Sequence, residues 1–283
     1  MNHIRRAIVG GLTQARRAWL ILPLYLVGLA LGLLQAWPLL VAGGNALHNP
    51  FLDQLVSGGS DALLDLFIGS PAAAPQALAW AGSSLLLAQL FGLAYTLFSG
   101  GMLSVAAGKN SFWSGCRRFF WSFLGLGAVL VLLAALLLVF AGLGGTTLGR
   151  ANTGLLIGLL LLQLLNVVGE FARAIGVARD RRNPFVLFGA ALAFCLRHPG
   201  GVLALGLLGA LLHIAVIVLY LGLAQLPLGV GALLAQQLIV LLWLWIKLLR
   251  LTWALSYVSS LDADATHTPM PDGVSPSGIV SPL

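Results

Sequence analysis

Six stretches of this chain are predominantly apolar, and the segments between them are alternately rich and poor in arginine. The runs cover about 19–41, 77–99, 119–143, 154–177, 200–225 and 231–257. Each reaches the roughly 20 residues that a helix needs to cross a bilayer. None alternates apolar and polar residues as a barrel strand does. The pattern predicts an all-α, polytopic membrane bundle of six transmembrane helices over residues 1–261, with Pro23 bending or softening the first. Residues 1–18 place Arg5, Arg6, Arg16 and Arg17 around Ile4, Ile8, Val9 and Leu12, which reads as a basic amphipathic helix at the membrane interface. The run that follows is longer than the core of a signal peptide and has no small-x-small cleavage site, so it is expected to span.

Two further interfacial helices are expected before outward-going spans, at 111–120 and 184–198. Asn183-Pro184 is a good helix start and Pro199-Gly200-Gly201 an elbow. The chain then reads as three units of interfacial helix plus hairpin. Duplication and convergent membrane-entry chemistry explain that equally well. Residues 42–76 form the longest loop, with two short amphipathic helices carrying Asp53, Asp61 and Asp65. Residues 262–283, rich in Pro, Ser, Thr and Asp, are expected to be a disordered cytoplasmic tail.

Composition agrees with the pattern. The chain is 59% hydrophobic and 8% charged, against about 25% charged residues in a soluble domain. Its net charge is +7, and the location of that charge orients the chain. Twelve of the 15 Lys and Arg residues fall in 1–18, 100–118 and 173–199, whereas the opposite loops hold only Arg150. By the positive-inside rule both termini are cytoplasmic, and six spans preserve the alternation. Arg16, Arg17, Arg117, Arg118, Arg181, Arg182 and Arg197 are the candidate contacts for anionic lipid headgroups. Phe112-Trp113 and Phe119-Phe120-Trp121 read as an interfacial aromatic belt. Nucleic acid is not an expected partner, because the basic residues flank apolar runs. Cys116 and Cys195 both lie on the expected cytoplasmic side, so no disulfide is expected.

Polar residues inside the runs are the candidate chemistry. Gln163, Asn166, Glu170 and Arg173 share one face of the fourth span. Gln236, Trp243, Lys247 and Arg250 share a face of the sixth, and Gln89, Gly92, Thr96 and Ser99 a face of the second. Glu170 is the only carboxylate within an apolar run. Counted from the start of their spans, Glu170 and Lys247 both lie roughly 24 Å down, in the cytoplasmic third. Glu170 is therefore expected to pair with Lys247 or Arg250. The plain reading is a structural ion pair beside cations that snorkel to the interface. The functional reading is an ion or proton relay, or an anionic headgroup site, in the cluster Gln163, Asn166, Glu170, Arg173, Lys247, Arg250 and Gln89. His213 has no ligand partners in its layer and is expected to be packed or hydrogen-bonded. Small residues spaced four apart, such as Gly28/Gly32, Gly154/Gly158 and Gly206/Ala210, suit close helix packing.

No metalloprotease, nucleophile-elbow or phosphate-loop motif occurs, and no catalytic residue, metal or cofactor is expected. Gly100-Gly101-Met-Leu103 followed by Phe112-Trp-Ser-Gly115-Cys116-Arg-Arg118-Phe-Phe-Trp121-Ser-Phe-Leu124, and Glu170-Phe-Ala172-Arg173 at the end of the fourth span, resemble motifs of an uncharacterised family of bacterial six-span integral membrane proteins. The resemblance covers most of residues 1–260 and implies the six-span fold and a bacterial inner membrane, with no known activity. More loosely, the layout is similar to the membrane domain of glycerophosphodiester phosphodiesterases, without their catalytic domain. The expected function is a non-enzymatic scaffold, accessory subunit or component of envelope or lipid homeostasis. Its expected partners are membrane lipids, and a membrane protein or a second copy of the chain. The alternatives are a small transporter or channel lined by spans two, four and six, and a lipid-modifying enzyme using Glu170 with Arg173.

Overall fold

The computed structural model describes residues 2–45, 74–109, 111–147, 151–224 and 230–266. The acidic loop helices expected within 42–76 lie almost wholly outside these residues, as does the tail beyond 266. Among the described residues there is no strand. The helices are α1 (Asn2–Ala15), a 3-10 turn (Ala18–Ile21), α2 (Leu22–Asn45), α3 (Ala74–Ala106), α4 (Phe112–Thr147), α5 (Ala151–Ala178), α6 (Pro184–Arg197), α7 (Pro199–Ala224) and α8 (Val230–Thr266).

Among the described residues five segments are long and apolar enough to cross a membrane: Gln89–Ala106, Phe112–Phe140, Ile157–Ala178, Pro199–Leu223 and Gln237–Asp264. The α1–α2 pair supplies a sixth if it counts as one broken span. Large apolar side chains such as Val131, Leu160, Leu211 and Val218 are more than 60% exposed along these segments. A soluble monomer rarely shows so much apolar surface, and the all-helical chain has the candidate spans that a membrane protein would need.

Three sequence expectations change. Pro23 is the second residue of α2, where a proline lacks nothing a helix needs, so it opens the helix and does not bend it. Segment 111–120 is no separate interfacial helix but the first turns of α4, which runs unbroken to Thr147. Helix α8 continues through residues 262–266 of the expected tail.

The chain divides into two compact units. One comprises 17–128 and 216–245. In it, α3 ends on Gly108, whose φ of +67° suits a residue without Cβ. The Lys109 N–H then reaches the Ser104 carbonyl at 3.1 Å and the Gly108 N–H the Val105 carbonyl at 3.1 Å, a two-bond helix stop. Arg17 donates to the same Val105 carbonyl at 3.2 Å. The turn lets α3 and α4 cross at their glycines. A Cβ on Gly101 would stand 2.6 Å from the Phe112 carbonyl oxygen and 2.5 Å from Cys116 Sγ, and one on Gly115 would stand 2.9 Å from the Gly100 carbonyl oxygen. Phe98, Phe112 and Trp113 close the crossing, with ring centroids 5.3–6.3 Å apart. Tyr25 of α2 donates to Gln237 of α8 at 3.1 Å. Gly28 of α2 meets Phe91 of α3, whereas a Cβ on Gly32 would meet nothing within 4 Å among the described residues.

The other unit comprises 1–16, 129–215 and 246 onward. Helix α1 buries Ala7, Gly11 and Ala15 and leaves Val9 and Leu12 exposed. Its small-residue face is therefore the packed one, and α8 is what it packs on. Thr252 Oγ1 donates to the Gly11 carbonyl at 3.1 Å, Ser256 Oγ to Gln14 at 3.4 Å, and Gly11 lies flush with Trp253. The end of α8 is tied twice more. Arg179 donates through Nε (3.2 Å) and Nη2 (2.7 Å) to the Asp262 carboxylate, while His3 and Arg6 stand 3.3 and 3.6 Å from Asp264. The hydrogen bond to Asp262 holds the Arg179 guanidinium further into its charged range, against a smaller effect of burial. These pairs are part-exposed, so together they are worth on the order of 1 kcal/mol. Asp262→Asn with Asp264→Asn should speed amide exchange in 260–266 and α1 at low salt. The difference from wild type should vanish in high salt, where such pairs are screened.

Candidate functional site

The unit containing α5, α6, α7 and the second half of α8 holds the candidate site. Helix α5 carries Glu170 (8% exposed) toward α8, which carries Arg250 (6% exposed). Arg250 Nε donates to Glu170 Oε2 at 3.1 Å, and Nη2 stands 2.9 Å from Oε1. The Nε arm is thus a charge-assisted hydrogen bond, while Nη2 makes an ion-pair contact without hydrogen-bond geometry.

Arg250 hydrogen-bonds the carboxylate directly, and a third helix shapes its approach. Gly209 of α7 lies against the Arg250 stem. A Cβ there would stand 2.8 Å from both Cδ and Nε. The missing side chain gives the arginine its channel toward α5. The Gly209 carbonyl accepts from His213 Nδ1 at 2.8 Å; because a carbonyl only accepts, Nδ1 carries the proton. His213 is thus a hydrogen-bonded packing residue. Arg173 is buried and Lys247 half-buried, and both add to the positive field at the carboxylate.

Further glycines bring the helices in. Gly206 of α7 packs on Val167 of α5, and Gly201 abuts the Tyr257 hydroxyl of α8. Phe171, the neighbour of Glu170, stacks on Phe194 of α6 at 5.6 Å, and Tyr257 closes on both rings at 6.0–6.3 Å. Between these groups is a crevice lined by Val167, Glu170, Phe171, Leu205, Gly206, Arg250, Trp253 and Ala254, with room for about one water molecule. Trp253 is 3% exposed and its Nε1–H has no partner in the protein.

The other predicted residues divide. Arg173 joins the pair's surroundings. Asn166 is exposed and Gln163 half-exposed, although they share a helical face with Glu170. Spacing correctly places them on one face; what covers that face changes along the helix. Gln89 belongs to the other unit and is exposed, while Thr96 and Ser99 bond back to carbonyls of α3 itself at 2.7 and 3.0 Å. That is the usual way an apolar helix silences a hydroxyl. Arg16, Arg17, Arg117, Arg118, Arg181, Arg182 and Arg197 are all exposed. Gly209, Trp253, Asp262 and Asp264 were not among the predicted site or anchor residues. The first two carry no chemical signal of their own, and the aspartates sit in a stretch whose composition suggests disorder.

The motif residues quoted above have a physical role here. Gly100 and Gly101 meet Gly115 and Cys116 at the α3–α4 crossing, and Glu170 and Arg173 belong to the ion-pair cluster. Cys116 is buried. Cys195 of α6 is half-buried, and burial pushes its thiol up to about 11 from 9.0. At pH 8 maleimide should label Cys195 about a hundredfold more slowly than an unstructured cysteine, and the rate should rise about tenfold per pH unit toward pH 11, since the thiolate is the nucleophile. Mass spectrometry of timed samples measures both. Labelling as fast as in the unfolded chain would contradict the burial.

Comparison with known proteins gives no match to any family model, curated protein or solved structure.

Proposed function

We propose that this chain is a six-span protein of a bacterial inner membrane with both termini in the cytoplasm, of the uncharacterised family its motifs resemble. It works without catalysis, as a scaffold or accessory subunit in envelope or lipid homeostasis. Its exposed arginines engage anionic headgroups, and its partners are lipids and either another membrane protein or a second copy.

The observation that carries the non-catalytic, non-transporting reading is the state of Glu170, the one buried carboxylate among the described residues. Glu170 is locked on Arg250 by two close contacts, walled by Phe171, Trp253 and Gly206, and adjoins space for about one water. A relay or an active site needs a group that can release its partner and meet a substrate. A carboxylate held by a guanidinium in a packed interior acts as a joint between helices.

The test is reconstitution in phosphatidylethanolamine and phosphatidylglycerol vesicles loaded with a pH-sensitive dye. Under a potassium diffusion potential, proton permeability should equal that of protein-free vesicles. Permeability above that level, lost in a Glu170→Gln protein that accumulates and folds normally, would replace the scaffold reading with transport.

A further inference from the structure

Helix α6 combines three properties that do not normally go together. It has 14 residues, about 21 Å of helix, too short for the roughly 30 Å hydrocarbon core. From Pro184 to Leu196 it has no ionisable side chain other than the thiol of Cys195 and no hydroxyl or amide side chain. Yet only Leu187, Ala191 and Phe194 are buried. Its outer face is open and apolar: Phe185 is 71% exposed, Val186 47%, Leu192 41% and Leu196 74%. The sequence predicts an interfacial helix over 184–198, and the helix is there; its amphipathic character is not, since it is apolar all round, and such a helix needs an apolar cover on every side.

Both ends are prepared for that cover. Asn183 Oδ1 accepts from the N–H groups of Phe185 (3.0 Å) and Val186 (3.3 Å), so donors at the first turn are satisfied inside the chain. At the other end the His198 N–H reaches the Phe194 carbonyl at 3.0 Å, and the Val202 N–H the His198 carbonyl at 3.2 Å. Satisfied backbone ends are the condition for placing a helix in hydrocarbon. Exposed Arg181 and Arg182 precede the helix, and exposed Arg197 ends it. Apolar flank and cationic ends together match one occupant, a phospholipid with an anionic headgroup.

We propose that α6 is embedded in a single leaflet. Its Phe185–Leu196 face takes acyl chains, and Arg181, Arg182 and Arg197 take the phosphates of anionic lipids. This rests on the reading that the chain crosses a membrane. Because Phe194 stacks on Phe171 and meets Tyr257 edge to face, the lipid-facing helix is in direct contact with the two helices that carry the Glu170–Arg250 pair. The structure thus joins a lipid-binding surface to that pair, a route by which leaflet composition acts on the helix joint.

Spin labelling tests it. Cys116 and Cys195 are replaced by Ala, and single cysteines are introduced as Leu196→Cys, as Leu211→Cys on the exposed face of α7, and as Arg181→Cys. The full chain is placed in phosphatidylglycerol and phosphatidylethanolamine vesicles. Labels at 196 and 211 should both collide readily with oxygen and lose collisions with a water-soluble nickel chelate, while the label at 181 meets the chelate. Chelate access at 196 with protection at 211 overturns the embedding of α6 alone. Shielding at 196 from both reagents means that protein covers the face, and also overturns it. Chelate access at 211 as well overturns the membrane-crossing reading with it.

Discussion

Glu170→Gln is expected to cost about 3–5 kcal/mol of folding stability, because it strands the Arg250 charge in a packed interior. The amide keeps the shape of the side chain and can still accept one hydrogen bond, so the loss is electrostatic. The remaining surroundings make it worse: Arg173 and Lys247 already contribute positive charge, and Glu170 is the one anion in the cluster. Arg250→Met should be of similar size for the converse reason, a buried carboxylate without its guanidinium. Arg250→Lys should fall between wild type and Arg250→Met, since an ammonium keeps the charge but cannot face both oxygens at once. Thermal unfolding of purified protein in one detergent ranks the four. If Glu170→Gln melts with wild type, the pair contributes nothing to the fold.

The second large effect is at the α3–α4 crossing. Gly101→Val and Gly115→Val should each destabilise by about 3 kcal/mol or more, the upper end of overpacking. The obstacle at each position includes a backbone carbonyl, of Phe112 and of Gly100 respectively, and backbone does not swing aside as a side-chain tip does. Cys116→Ala should therefore rescue Gly101→Ala only in part, removing the sulfur but not the Phe112 oxygen. Gly189, with nothing within 4 Å, is the control. There a change to Ala should be neutral or stabilise by about 0.5–1 kcal/mol, as expected in a helix interior. Equal losses at all three glycines would mean that helix propensity, not the close crossing, sets the cost.

The positions of the apolar helices were legible because hydropathy over some 20 residues is a strong signal. The limits of α6 were legible too, because Asn183-Pro184 and Pro199 punctuate the backbone itself. Helix ends at the membrane boundary were not. Helices α3, α4 and α8 continue past the apolar runs, and hydrogen bonding along the backbone does not depend on whether a turn is wet or dry. The α6 surface was misread for a related reason. Flanking arginines gave the segment an amphipathic look, although no polar side chain lies between them.

The ion pair was half legible. A lone carboxylate in an apolar run demands a cation, and helical spacing offered Lys247 and Arg250 together. The approach of Arg250 runs past Gly209, on another helix, and no pattern within α5 or α8 contains that information. Gln163 and Asn166 show the same limit from the other side. Spacing puts them on the face of Glu170, but α7 and α8 cover only the part of that face from Val167 onward, where Gly206 and Arg250 approach.

The central claim, that Glu170 and Arg250 form a structural joint, is tested most directly by removing both charges. Glu170→Met combined with Arg250→Met leaves no stranded charge and fills much of the same volume. Its unfolding temperature should recover most of what either single change loses, as expected for a buried pair whose worth lies in not being broken. A double variant that unfolds at least as early as the worse single would contradict the joint, and would show that each residue has its own separate role in the protein.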